Sequence, residues 1–247
     1  MDRLIYSSLA AMRGAMARQA TIANNLANAN TTGFRAEMSA AKSLWISGKG
    51  SETARATVDD GVAGADMSAG TIVSTGRDLD VAFNGDAMLA VQAADGEEAY
   101  TRRGDLMRSE SGLLTTGDGK PVLGDGGPIT LPPADAISIS KDGQIFIVPQ
   151  GGDPKNPQAV DRLKLVSPVG SKIAKGLDGL FHVEGGGTLP SDPDAQVTPN
   201  SLEGSNVSTS QALVDMIDAS RAWDTQVKML TTAQDLDKSS ADLMRIE

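Results

Sequence analysis

Glycine and proline are spread unevenly along this 247-residue chain, and no other feature constrains the fold as much. Residues 1–32 and 205–247, 75 positions together, contain one glycine, Gly14, and no proline. The 172 residues between them hold the other 26 glycines and all 11 prolines. Helix interiors exclude both residue types, whereas turn-rich β-structure uses both. The distribution therefore predicts helices at the two ends and strands with turns in the middle. Ordinary domains take roughly 100–200 residues each, so the length allows one or two.

Composition removes several function classes. Cysteine is absent, which excludes a disulfide scaffold, a thiolate metal site and a cysteine nucleophile. His182, the one histidine, cannot by itself build a histidine-rich zinc site. A formal net charge of −10 argues against binding along a phosphate backbone, where affinity comes from Lys and Arg. No stretch approaches the roughly 18 apolar residues of a membrane span. Arg3, Arg13 and Arg18 interrupt the N-terminal segment, so it lacks the apolar run of about 7–15 residues of a secretory signal. These counts place the chain in the cytoplasm or on an export route that reads no cleavable signal.

Within the first end, Ile5, Leu9, Met12, Met16, Ala23 and Leu26 step by four and three, with Gln19 breaking the series. This is the spacing of a coiled-coil seam. The helix is expected to stop near Asn28, ahead of Asn30-Thr31-Thr32-Gly33, because asparagine and glycine tolerate the turn that ends a helix. At the other end, Ser208 and Gln211 form a capping-box pattern. Leu213, Met216, Ile217, Trp223, Val227 and Leu230 then mark one stripe, which Ala233, Leu236 and Leu243 continue after a slip in phase near residue 231. Such a slip would bend or overwind a coiled coil. Two proline-free helices with narrow seams most simply pair with each other. Leu4, Ala10, Ala17, Ala20, Ile22, Val214, Ala219 and Met229 lie off the seams, and a two-helix hairpin would leave them wet. Both ends read as assembly elements.

From about residue 70 the pattern changes to period two or to short apolar runs. The predicted strands are Thr71–Thr75, Leu79–Phe83, Met88–Gln92, Ala99–Arg102, Leu113–Thr116, Ile129–Leu131, Ile137–Ser140, Gln144–Val148, Leu163–Val166 and Phe181–Val183. Turns such as Asn84-Gly85-Asp86 and Asp142-Gly143 separate them, and the cadence argues for an antiparallel β-domain. Residues 36–70 read as an extended connector with a short helical piece around Met38–Trp45. The expected fold class is α + β. Its parts are a first helix (1–35), the connector (36–70), a central antiparallel all-β domain (71–204) and a last helix (205–247), with the two helices paired as a coiled-coil-like unit.

No motif carries catalytic chemistry. Ser39-Ala-Ala-Lys42 fits S-x-x-K without its S-D-N and K-T-G partners. Gly112 and Gly117 have phosphate-loop spacing, but Asp118 stands where the loop needs lysine. Asp192-Pro193-Asp194 and the Asp-Gly turns lack EF-hand spacing and read as Asx-turns. His182 reads as structural. No catalytic residue, cofactor site or metal site is assigned.

Three runs carry a resemblance. Asn24-Asn25-Leu26-Ala27-Asn28-Ala29-Asn30-Thr31-Thr32-Gly33-Phe34 resembles the N-N-L-A-N-x-x-T-x-G-F signature of bacterial flagellar axial proteins. Ser74–Phe83, Leu89–Gln92, Tyr100–Gly104 and Leu113–Gly124 resemble their core β-domain. Leu202-Glu203-Gly204-Ser205-Asn206-Val207, followed by Met216-Ile217 and Arg221-Ala222-Trp223, resembles their C-terminal pattern. The chain is similar to the flagellar basal-body rod protein family. Its wording is nearest the proximal-rod branch, with the distal-rod branch next. Ala87-Met88 and Trp223-Asp224 depart from the family pattern.

The resemblance implies a structural, non-enzymatic subunit of the proximal rod. Such a subunit polymerises through its terminal helices into the drive shaft that transmits torque for motility. The implied partners are other proximal and distal rod subunits, the flagellar type III export apparatus and the rod-cap protein, with no nucleic acid and no membrane insertion. The implied location is the basal body, in the rod across the periplasm, reached without a cleaved signal peptide. The resemblance and the helical spacing together assign assembly to Ile5, Leu9, Met12, Met16, Asn24, Asn25, Leu26, Asn28, Thr31, Gly33, Phe34, Ser205, Asn206, Val207, Leu213, Met216, Ile217, Arg221, Trp223, Val227 and Leu230. A distal-rod or hook-type axial protein is the alternative within the family. From another class, a secreted β-rich adhesin with coiled-coil ends would require a longer phase-perfect heptad run and a surface anchor, and neither is seen.

Overall fold

The computed structural model describes residues 2–46 and 55–244, with side chains for 8–39, 64–236, 238 and 239. The chain forms two compact units. One takes Met1–Asn28, Glu37–Asp66 and Val207–Glu247; the other takes Ala29–Ala36 and Met67–Asn206.

The first unit holds both helices, α1 (Asp2–Ala27) and α2 (Thr209–Met244). The 36 residues of α2 span about 54 Å at 1.5 Å per residue. Ser208 caps it: its hydroxyl accepts from Gln211 N–H at 3.4 Å, and its carbonyl accepts from Ala212 N–H at 2.9 Å. The Gln211 side chain does not return to the cap but donates to Asp215 at 2.8 Å. Only half of the capping box therefore forms.

The segments Glu37–Ile46 and Arg55–Ala65 correct one expectation. The stretch read as a short helix around Met38–Trp45 is a strand, Glu37–Ile46, which pairs antiparallel with Arg55–Ala65. The Ala/Ser-rich first strand has weak preferences of its own. Its partner brings Thr57, Val58 and Val62, which favour strands, and Gly61 and Gly64, which disfavour helix, so pairing decides the conformation. Both strands of this hairpin, and α2, pack against α1.

The second unit is antiparallel β throughout its paired strands. Its largest sheet has five strands in the order Leu165–Val166, Met88–Gln92, Glu98–Thr101, Phe181–Val183, Ile173–Lys175. Ala134–Ile139, Gln144–Pro149 and Gln158–Arg162 form a second sheet of three. Two-stranded ladders pair Val81–Phe83 with Val197–Pro199 and Ile72–Ser74 with Ser201–Glu203. The core gathers, among others, Val81, Phe83, Leu89, Leu106, Leu114 and Ile145, these six at most 1 % exposed. Ile129–Leu131 is not a regular strand. Ile129 bonds to Leu114 on one side and Val122 on the other, while Thr130 makes a single bridge to Leu113. Strands such as Ile173–Lys175 and Ser201–Glu203 escaped the sequence reading because each carries one large apolar residue and so shows neither an alternation nor an apolar run.

Tyr100 shows how completely this core excludes water. It is wholly buried, its hydroxyl donates to Glu98 Oε1 at 2.9 Å and accepts from Leu189 N–H at 2.5 Å. Burial pushes its pKa from 10.0 up to about 12; the Leu189 N–H opposes the rise and Glu98 adds to it. A phenol whose folded pKa is raised stabilises the fold fully below its unfolded pKa and loses that contribution as pH rises toward 12. Tyrosinate absorbance should therefore show Tyr100 still protonated at pH values where a free phenol has ionised. Chemical denaturation should show stability falling across the same interval.

Candidate functional site: a buried Arg–Glu–Arg cluster and the helix faces

Three charged residues far apart in sequence meet inside the second unit. Glu203 ends the strand Ser201–Glu203, Arg102 directly follows the strand Glu98–Thr101, and Arg35 lies in the segment 29–36. They are 1 %, 2 % and 1 % exposed, respectively. Arg102 Nε and Nη2 donate to Glu203 Oε2 at 2.9 and 2.7 Å. Its remaining N–H groups go to the carbonyls of Gly85 (2.6 Å), Ala87 (2.9 Å) and Phe83 (2.8 Å). All five guanidinium donors are thus satisfied. Glu203 Oε1 accepts from Arg35 Nη2 and from Gly70 N–H, both at 2.8 Å. Arg35 Nε and Nη1 are buried without a hydrogen-bond partner among the described residues. Burial lowers the Arg102 pKa from its ordinary value, against the opposing attraction of Glu203.

The residues around this cluster give a physical reason for the asparagine–glycine motif. Gly33 N–H donates to the Glu203 carbonyl at 2.8 Å. Gly33 has φ +67°, and a Cβ there would stand 2.3 Å from the Arg102 carbonyl oxygen, so only glycine fits. The Phe34 ring lies under Lys175 Nζ, 3.8 Å from the ring centroid, and that ammonium also donates to the Arg35 carbonyl at 3.3 Å. Asn206 Oδ1 accepts from Ala36 N–H at 2.8 Å, while its Nδ2 donates to the Ser68 carbonyl at 3.0 Å. Thr31 is half-buried, with its carbonyl accepting from Phe34 N–H at 3.2 Å; Ser205 is half-buried too.

In the first unit, Asn25 binds Glu37 as a second backbone would. Its Nδ2 donates to the Glu37 carbonyl at 2.9 Å and its Oδ1 accepts from Glu37 N–H at 2.8 Å. Asn28 Nδ2 donates to the carbonyl and the Oδ1 of Asn24, both at 2.9 Å. Val207 is half-buried.

The helix faces divide the predicted seam residues. On α2 the covered positions are Ala212, Met216, Ala219, Trp223, Gln226, Leu230 and Ala233, alternating steps of four and three. This series stays in phase through Ala233. The slip near residue 231 came from combining two rows. Met216, Trp223 and Leu230 belong to the covered row, whereas Leu213, Ile217 and Val227 are exposed. Arg221 is exposed, with Nη1 3.9 Å from Asp218 Oδ1. On α1, Met12 and Leu26 are half-buried, while Leu9 and Met16 are 41 % and 56 % exposed. The Ile5 side chain lies outside the described residues. Among the described side chains, the most enclosed positions on both helices are small: Ser8, Gly14, Thr21, Ala212 and Ala219.

Sequence reading did not single out Arg35, Arg102 or Glu203 as site residues. The available signal was a charged residue inside each of the three matching runs, or directly after one. His182 Nε2 sits 3.1 Å from Asp178 Oδ2 on a half-exposed surface, the i,i+4 pair of one turn. The geometry of the cluster holds chain segments together.

Segments 29–36 and 201–206, far apart in sequence, converge within one antiparallel β-unit. The chain is similar to known proteins along nearly all of its length. A model described as flagella basal body rod protein matches residues 5–35. One for the flagellar hook protein FlgE/F/G D1 domain matches 82–147, and one for the flagellar basal body rod FlgEFG protein C-terminal matches 198–243. The chain is 40 % identical over 241 residues to the flagellar basal-body rod protein FlgF of Salmonella typhimurium, covering 95 % of each chain. It is 34 % identical over 253 residues to FlgF of Caulobacter vibrioides, covering 98 % of each. It is 30 % identical to the flagellar basal-body rod protein FlgG of Bacillus subtilis, over 99 % of this chain and all of that one. The chain belongs to the flagellar basal-body rod protein family.

Gly33→Ala should destabilise the protein by about 1–3 kcal/mol, the cost of a side chain at positive φ or of overpacking. Urea unfolding measures it. Asn206→Ala should also lower the midpoint, because it leaves Ala36 N–H without its acceptor.

Proposed function

We propose that this chain is a structural subunit of the flagellar basal-body rod and that it polymerises through the outward rows of its two terminal helices. The reading is supported by matches over 95–98 % of the chain to proteins named for the rod. The observation that carries it is the apolar surface that the helices leave uncovered. Small residues fill the most enclosed of the described positions, while Leu9, Met16, Leu213, Ile217 and Leu236 stand 41–56 % exposed. Each such side chain, once fully buried, contributes about 1.5–3 kcal/mol, so a neighbouring subunit gains much by covering them. A contact between unlike surfaces of successive subunits grows a helical tube instead of closing.

In finer detail, the two helices act as one coiled-coil-like unit, the subunit sits in the proximal rod, and the rod transmits torque. Its partners are proximal and distal rod subunits, with the rod-cap protein at the growing tip. It reaches the periplasm through the flagellar type III export apparatus. A chain without cysteine suits passage in an unfolded state, since no disulfide must form afterwards. No helix among the described residues is long and apolar enough to cross a membrane.

Deleting the gene and imaging basal bodies tests the reading; an incomplete rod and loss of swimming are expected, and a complete rod with normal swimming overturns it. Complementation with Met16→Asp combined with Ile217→Asp should fail to restore swimming. The same variant should change monomer stability by no more than about 0.5 kcal/mol per site, as exposed positions do.

A further inference from the structure

We infer that Asn84 is a self-modifying site, at which the amide is converted to a carboxylate by the backbone nitrogen of Gly85. Asn84-Gly85 is the sole Asn-Gly pair in the sequence. It opens a tight turn closed by Ala87 N–H donating to the Asn84 carbonyl at 3.2 Å, and both residues are exposed. Gly85 has φ +57° and open space where a Cβ would be, so no side chain hinders the turn at this residue. Its N–H bonds to no group among the described residues. Thr198 Oγ1 donates to Asn84 Oδ1 at 3.0 Å, which polarises the side-chain carbonyl and stabilises the charge that develops there. The amide nitrogen of this exposed residue has no partner among the described residues.

The step balances without a redox partner. Solvent base removes the Gly85 N–H proton, and the nitrogen attacks Asn84 Cγ. The C–Nδ2 bond breaks, and nitrogen departs as ammonia carrying a proton from water. A second water then opens the cyclic imide at either carbonyl, giving aspartate or isoaspartate at position 84. Two features of the fold make the product matter. The Gly85 carbonyl is an acceptor for Arg102 Nη1 at 2.6 Å, and isoaspartate lengthens the main chain immediately before it. The new carboxylate also joins Asp86, Asp192 and Asp194 around one open cleft. Other asparagines differ. Asn25 and Asn206 have both ends of the amide engaged and are followed by Leu26 and Val207.

The test is to hold the purified full-length chain at mildly alkaline pH and physiological temperature and to sample tryptic peptide 78–102 by mass spectrometry. Isoaspartyl methylation provides a second readout. Conversion at Asn84 should run at least roughly tenfold faster than at Asn25 or Asn206, since the residue that follows has no side chain. Thr198→Val should slow it several-fold, and Asn84→Gln should abolish it while the protein stays folded by circular dichroism. Retention of the Asn84 amide, or loss no faster than at the other two asparagines, overturns the proposal.

Discussion

The carboxylate of Glu203 is the interaction on which the second unit most depends. It joins Arg35, 168 positions away in sequence, to Arg102, 101 positions away, and it also receives the Gly70 N–H. A buried charge is costly unless it is paired and hydrogen-bonded. Two guanidinium groups share one carboxylate here, and Arg102 is fully satisfied only because the carbonyls of Phe83, Gly85 and Ala87 take its other donors. Removing one member of such a group leaves uncompensated charge and costs about 3–5 kcal/mol. The cluster therefore specifies geometry: the segment 29–36, the turn 84–87 and the strand Ser201–Glu203 must all be in place together.

That requirement accounts for several local features. Gly33 is a close-approach glycine because the Arg102 carbonyl leaves no room for a side chain. Phe34 shields the segment from one side beneath Lys175. Asn206 and Asn25 each use both ends of an amide to hold main chain, which neither an aliphatic nor a charged side chain of the same length does. On the helices the division is different. The most enclosed of the described positions carry small side chains, Met216, Trp223 and Leu230 lie half-buried along the same row of α2, and Leu9, Met16, Leu213 and Ile217 face outward, more apolar surface than a self-contained helical pair would leave wet.

Much of the fold was legible in the sequence because its signals are local. Exclusion of glycine and proline located both helices, and Ser208 located the start of α2. Met88–Gln92 and Phe181–Val183 were legible to the residue, since an apolar run bounded by turns is a short-range pattern. The hairpin of Glu37–Ile46 with Arg55–Ala65 was not, because an Ala/Ser-rich segment acquires its conformation from its partner strand. The Arg35–Glu203–Arg102 cluster was not legible either. Charged residues in an acidic chain read as solvated, and only the tertiary fold removes these three from water. Nor does helical spacing alone say which of two adjacent rows is covered, which is why the predicted stripe on α2 mixed Met216 with Ile217.

The most direct measurement of the central claim is a double-mutant cycle between Arg102→Met and Glu203→Gln, read from urea unfolding of the full chain. Coupling of about 1.5–3 kcal/mol is expected for hydrogen-bonded charges buried together. Additive effects, with coupling below about 0.5 kcal/mol, would mean that the two residues stabilise the fold independently and would contradict the account.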